Sequence, residues 1–237
     1  MSNDWIDARI LRPTRGGSAI KRLSQLALFA VLGQVLLLAS AWFLPAVSEY
    51  GLIGDNISEL ALGRYGFVLT FAFVVSGLGV IGLSYAIRRS TVRSRGSLIG
   101  SLLIGVYGLG ALVVAIFPTD RIDSPTDVLA QSTTGWIHSM TALISYLCAI
   151  VGMFILTWTF ARHTRRRSLV VWSSLLAGAA LALLFGQSEG PWVGLMQRLL
   201  ITAISSWLIL IAFRVRTIAT TEQMTIGTKD GMRSAAG

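Results

Sequence analysis

The chain reads as an all-α polytopic membrane protein, a bundle of six transmembrane helices, and three observations predict that fold class. Hydrophobic residues make up 54% of the 237 and charged residues only 13%, against roughly 25% in soluble domains. Mean hydropathy is +0.69. The apolar residues gather into six runs, 23–44, 66–87, 97–117, 137–161, 168–186 and 195–213. At about 1.5 Å per residue each can cross a hydrocarbon core about 30 Å thick, and none shows the alternation of an outer-membrane strand. The runs divide the chain into a basic N-terminal tail, 1–22, a membrane domain, 23–213, and a polar C-terminal tail, 214–237, expected to be disordered.

Run one passes through Ala39-Ser40-Ala41, which resembles a signal-peptidase site, but its apolar stretch exceeds the usual 7 to about 15 residues of a signal peptide. Trp42 and Phe43 carry it on to Pro45 as an interfacial anchor, so the helix is expected to be retained. Run two carries Ser76, Gly77, Gly79 and Gly82. Run three, with Gly96, Gly100, Gly105, Gly108 and Gly110 and with Ser97 and Ser101 interleaved, is the candidate central helix, because small residues let backbones approach where lipid gives no hydrophobic drive. Packing within the chain is the expected use of these residues. The alternative is a homo-oligomer or membrane-protein partner seated on Gly96, Gly100 and Gly105. Run four opens at His138 and holds the single cysteine, Cys148, so neither a disulfide framework nor a cysteine zinc site is available. Run five has its own small stripe, Ser173, Ser174, Ala177 and Gly178, and run six begins beside Arg198.

Orientation follows from the basic residues. Of the 20, 17 fall in the tails and in the loops after runs two and four, and Arg64, Arg121 and Arg198 fall at the opposite end. The positive-inside rule therefore places both termini in the cytoplasm. Seven of the 11 acids, Glu49, Asp55, Glu59, Asp120, Asp123, Asp127 and Glu189, lie in the outer loops. Topology thus accounts for the net charge of +9, and no nucleic-acid partner is expected.

No acid or base lies near the centre of any run, which argues against a proton-coupled transporter. Phosphate-binding loops, zinc-protease motifs and nucleophile elbows are absent from the sequence, so the reading leans against an enzyme and calls for no cofactor and no metal. Polar residues cluster instead at the outer boundary. Runs two, four and six enter the membrane there with their N-terminal N–H groups outward, beside Arg64, His138 and Arg198, a pattern suited to an anion such as a lipid phosphate. The competing expectation is that Arg64 and Arg198 pair with Glu59, Glu189 or the acids of 120–127 and stitch the loops together. In Phe117-Pro118-Thr119-Asp120-Arg121, the proline ends run three and puts Asp120 within reach of His138, which makes those two the candidate acid-base pair, with interface capping as the plainer role. Asn56 or Ser58 is placed to cap a short helix lying at the outer surface. His163 sits among inner-face arginines.

At these residues the chain resembles a bacterial and archaeal six-span family catalogued as a domain of unknown function, DUF 998. The resemblance rests on Ile57-Ser58-Glu59-Leu60 with Gly63, Phe117-Pro118-Thr119-Asp120, Gly135-Trp136-Ile137-His138 and Gly194-Leu195-Met196-Gln197-Arg198, in that order. Where the family often has proline after the aspartate, Arg121 stands here. The resemblance implies six spans, a prokaryotic plasma membrane and an outward cluster of Ser58, Asp120, His138 and Arg198. With Arg64, Gln197 and Asn56 these form the expected site for an anionic lipid or amphiphile head group, membrane lipids being the expected partners. An accessory subunit of a membrane complex and a lipid-modifying enzyme using His138 and Asp120 are the alternatives.

Overall fold

Each apolar run becomes one helix, and polar signals set the ends. In a computed structural model describing residues 17–121, 131–163, 167–186 and 190–235, with side chains to residue 220, these helices are α1 (Gly17–Phe43), α2 (Gly66–Ser90), α3 (Arg95–Ile116), α4 (Thr133–His163), α5 (Arg167–Phe185) and α6 (Val193–Ala235). All six are long and apolar enough to cross a membrane. Ser94 caps α3 by accepting from the Ser97 amide at 3.0 Å, and Ser132 does the same for α4 through Gly135 at 3.1 Å. Arg88 and Arg89 close α2, where the helix dipole favours positive charge. Helix α6 continues beyond the apolar run to Ala235, so the polar segment expected to be disordered is helical to that point. No proline interrupts it, and propagation from an existing helix avoids the cost of nucleation.

The helices form a ring in which each packs against the next and α6 closes on α1. Backbones touch where glycines fall. A Cβ on Gly79 would lie 2.9 Å from the Ala30 Cα, and one on Gly33 would lie 2.9 Å from the Ser76 Cα, which joins α1 to α2. Between α2 and α3 the approach is mutual, with a Gly77 Cβ 2.7 Å from the Gly108 carbonyl and a Gly108 Cβ 2.9 Å from that of Gly77. Gly100 and Gly152 repeat this between α3 and α4. Run three, expected to be the central helix, is instead one member of the ring between two neighbours, and α6 is the most buried span. In run three Gly96 and Gly100 face Thr159 and Leu156 of α4, and Gly105 faces Ser84 of α2. Helix α5 is the least buried span, and Gly178 on it faces open space.

Polar side chains lock the ring from within. Gln34 of α1, fully buried, donates to Ser76 Oγ of α2 at 2.7 Å and accepts from Ser205 Oγ of α6 at 2.8 Å. Ser173 of α5 accepts from Trp207 Nε1 of α6 at 2.6 Å and is hydrogen-bonded to Thr157 of α4. A buried polar atom in hydrocarbon strongly disfavours every arrangement that leaves it unpaired, so these two networks fix which helices meet. Leu32, Phe71, Leu102 and Leu109 face outward from the bundle. Trp136 and Trp192 are exposed at the acid-rich end. At the basic end Arg162 lies 4.8 Å over Trp158 and Arg89 lies 5.1 Å over Tyr85, so aromatic residues mark both boundaries.

Gly108→Ala should lower the melting temperature of the detergent-solubilised protein. The added Cβ meets backbone, overpacking that costs about 1–3 kcal/mol, more than the roughly 1 kcal/mol gained in helix propensity. Gly178→Ala, which meets nothing, should hold or raise it. A thermal melt of both variants checks the pair.

Candidate functional site

Two prolines create the problem that the acid-rich end solves. An α-helical carbonyl at position i is normally satisfied by the N–H at i+4, and proline has none. Pro45 withholds that donor from Ala41 at the end of α1, and Pro118 withholds it from Val114 at the end of α3. At both ends a side chain from another helix binds a carbonyl of the helix terminus. Arg198 of α6, fully buried, donates from Nε to the Ala41 carbonyl at 3.0 Å. His138 of α4 places its ring against the Val114 carbonyl and its Nδ1 2.8 Å from the Phe117 carbonyl. A carbonyl only accepts, so Nδ1 carries the proton.

The first outer loop is then bound to α6. Arg198 Nη1 donates to the Asp55 carbonyl at 2.8 Å. The Leu195 amide donates to the Ile53 carbonyl at 3.0 Å, and the Ile57 amide donates to Gln197 Oε1 at 2.6 Å. Gly194 is required here, because a Cβ would strike the Asp55 carbonyl. These contacts hold a 3₁₀ helix, Ile57–Leu62, whose Ile57, Ser58, Glu59 and Leu60 are buried rather than lying at the surface. Asn56 stands at its cap position without a capping hydrogen bond; its amide donates to Glu59 Oε1 at 2.9 Å. Burial pushes the Glu59 carboxyl above the usual carboxylate range, and nearby Asp55 adds to this while Asn56 opposes it. Burial likewise raises Tyr50, opposed by Arg121, whose guanidinium lies 5.6 Å over the ring and brings the two outer loops together.

Asp120 ties the second loop. Its Oδ2 accepts from the Ser132 amide at 2.6 Å and its Oδ1 from Ser132 Oγ at 2.8 Å. A Cβ on Gly135 would fall on that carboxylate, so the glycine makes room for Asp120 as the histidine three residues later reaches the end of α3. Asp120 and His138 are neighbours with different partners, one holding Ser132 and the other the Phe117 carbonyl.

Beneath the first loop lies a cavity of about 40 Å³. Ser58 lines it from the loop, Tyr107 from α3, His138, Ser145 and Tyr146 from α4, and Gln197 from α6, among apolar residues that include Ala142. The Tyr146 hydroxyl is hydrogen-bonded to Gln197. Of the residues expected from sequence, His138, Ser58 and Gln197 thus share one space. Arg198, the residue after Gln197, is not among the lining residues; its Nη2 is buried without a hydrogen-bond partner. Arg64 is elsewhere, exposed and 5.5 Å over the Tyr65 ring, because it precedes α2 on the solvent side of the loop. Asp123, Asp127 and Glu189 lie outside the described residues. Tyr107 and Tyr146 were the residues missed by sequence reasoning, although a phenol within an apolar run signals a polar group that needs a partner. Among the described residues no group of three or more potential metal ligands occurs.

Six membrane-length helices, with two loops tied to a polar cluster at one end, define a multi-pass membrane protein. Residues 31–214 match the model of a family described as protein of unknown function, DUF998, and the chain belongs to that family. Neither a curated protein nor a solved structure matches it.

Arg198→Ala should remove two hydrogen bonds from a charged donor and leave the Ala41 and Asp55 carbonyls unpaired, at a cost of about 3 kcal/mol; amide exchange across residues 53–60 should accelerate, as hydrogen-exchange mass spectrometry would report. For Glu59 the sign follows from linkage. A carboxyl raised in the folded state binds its proton more readily there, so stability is greatest at low pH and falls as pH rises through the raised value. The melting temperature should therefore drop as pH rises above the ordinary carboxylate value of 4.5, and Glu59→Gln should flatten that slope and be the more stable protein at the upper end.

Proposed function

We propose that the protein is a membrane-embedded binding protein that takes the anionic head of an amphiphile into the cavity under the first loop, with that loop as its cover. The observation that carries this reading is the donor-rich lining. The hydroxyls of Ser58, Tyr107 and Tyr146 border the cavity, and Arg198, next in the chain to the lining Gln197, buries an Nη2 without a hydrogen-bond partner. Hydroxyl donors with a guanidinium one residue from the lining suit a carboxylate or phosphate. A volume of about 40 Å³ accommodates a few waters at most, so a head group enters as the loop lifts from Gln197 and Arg198. An outward orientation and a prokaryotic plasma membrane belong to the same reading, supported by the division of charge between the two ends.

Binding is favoured over catalysis because Nδ1 of His138 is committed to the end of α3 and the Asp120 carboxylate to Ser132. It is favoured over an accessory role because Gly96, Gly100 and Gly105 already face α4 and α2.

A photoreactive long-chain carboxylate added to the purified protein should label residues bordering the cavity in α3 and α4. Ala142→Trp, which fills the cavity, should cut that labelling at least tenfold, while Gly178→Trp should not. Labelling spread along the lipid-facing side of α5 and unchanged in Ala142→Trp would overturn the reading.

A further inference from the structure

A second cavity, of about 90 Å³, lies at the opposite, basic end between α2, α4, α5 and α6. Ile87, Val92, Phe160 and Ile218 contribute apolar walls, and Arg214 and His163 are the basic groups among its lining residues. It sits at the level of the Trp158–Arg162 and Tyr85–Arg89 stacks, where head groups meet the hydrocarbon. The acids with described side chains, Glu49, Asp55, Glu59 and Asp120, all belong to the other end, so Arg214 has no carboxylate among them to neutralise it.

Two further observations call for an acceptor from outside the chain. On the turn of α2 that sends Ile87 into the crevice, Arg88 buries Nη1 without a hydrogen-bond partner, and on the turn of α6 that carries Arg214 and Val215, Arg216 buries Nε in the same state. Unpaired buried guanidinium nitrogens are costly, and the cost disappears when an anion is present. An apolar slot with cations at one level matches one kind of ligand, a chain of methylenes ending in a charged head.

We propose that this crevice is a site for an anionic phospholipid, with one acyl chain between the walls and the phosphate on Arg214. Basic pockets between transmembrane helices bind anionic lipid head groups by the same chemistry. The N-terminal segment is the other apolar candidate, but Arg9, Arg12 and Arg15 would add charge of the same sign. The site is separate from the cavity at the acid-rich end and stands or falls without it.

Native mass spectrometry of protein released from mixed phosphatidylglycerol and phosphatidylcholine bilayers tests the proposal. Wild type should retain one phosphatidylglycerol in clear preference to phosphatidylcholine. Arg214→Gln should reduce that preference at least fivefold, and Val92→Trp, which fills the slot, should abolish retention of either lipid. Arg93→Gln removes an equal charge from an exposed position on the same face and should change nothing. An equal loss in Arg93→Gln would assign the effect to the basic surface as a whole, and undiminished retention in Val92→Trp would place the lipid elsewhere; either result overturns the site. Equal retention of both lipids by wild type would leave a slot for tails alone and remove the phosphate. Should Arg214→Gln fail to fold, Val92→Trp and the wild-type preference still decide.

Discussion

A carbonyl that loses its helical donor at the edge of a bilayer has little water to turn to, and the acid-rich end is organised around two such carbonyls. Pro45 and Pro118 stop α1 and α3 where each chain must leave the membrane, and each deprives the carbonyl four residues earlier of an N–H. Arg198 of α6 supplies the donor missing at Ala41, and His138 of α4 lies against the Val114 carbonyl while donating to that of Phe117. Because Arg198 also holds the Asp55 carbonyl, the side chain that completes α1 also seats the first loop. Because His138 follows Gly135 by one turn, the helix that completes α3 also receives the Asp120 carboxylate. Helix termination, loop docking and the shape of the cavity are consequences of the same few hydrogen bonds.

Below that end, the ring is held by contacts that lipid cannot imitate. Apolar side chains are as comfortable among acyl chains as among one another, so close backbone approach and paired polar atoms select the neighbours. The Gly77–Gly108 and Gly100–Gly152 contacts bring α3 against both of its neighbours. Gln34 joins α1 to α2 and α6, and Ser173 joins α5 to α4 and α6. Neither network carries a formal charge.

The two ends of the bundle pair a polar function with opposite electrostatics. At the acid-rich end, donors converge on a small covered space, with one buried cation already occupied by carbonyls and one buried carboxyl held above its ordinary range. At the basic end, arginines stack on aromatics or bury unpaired nitrogens beside an apolar slot. The proposed head-group site rests on the first arrangement and the proposed lipid site on the second.

By itself the sequence determined the six spans, the end marked by Pro118, the close packing of run three through its glycines and the family. These depend on local composition and on spacing of three or four residues, which the chain displays directly. Which carbonyls lack a donor also follows from a proline four positions on, although Pro118 on its own reads only as the end of run three. What only the tertiary structure decided is who supplies the donor. The partner of Ala41 is 157 residues away, and no local pattern distinguishes an arginine that will serve two carbonyls from one that will pair with an acid. For the same reason Asp120 was placed near His138 by sequence, yet its carboxylate is held by Ser132 across the loop. Arg64 belonged with Arg198 by charge, but a loop folded back onto α6 left it in solvent. Hydrogen-bond completion in a water-poor setting is a property of the assembled helices, so the site could be listed from the sequence but not arranged from it.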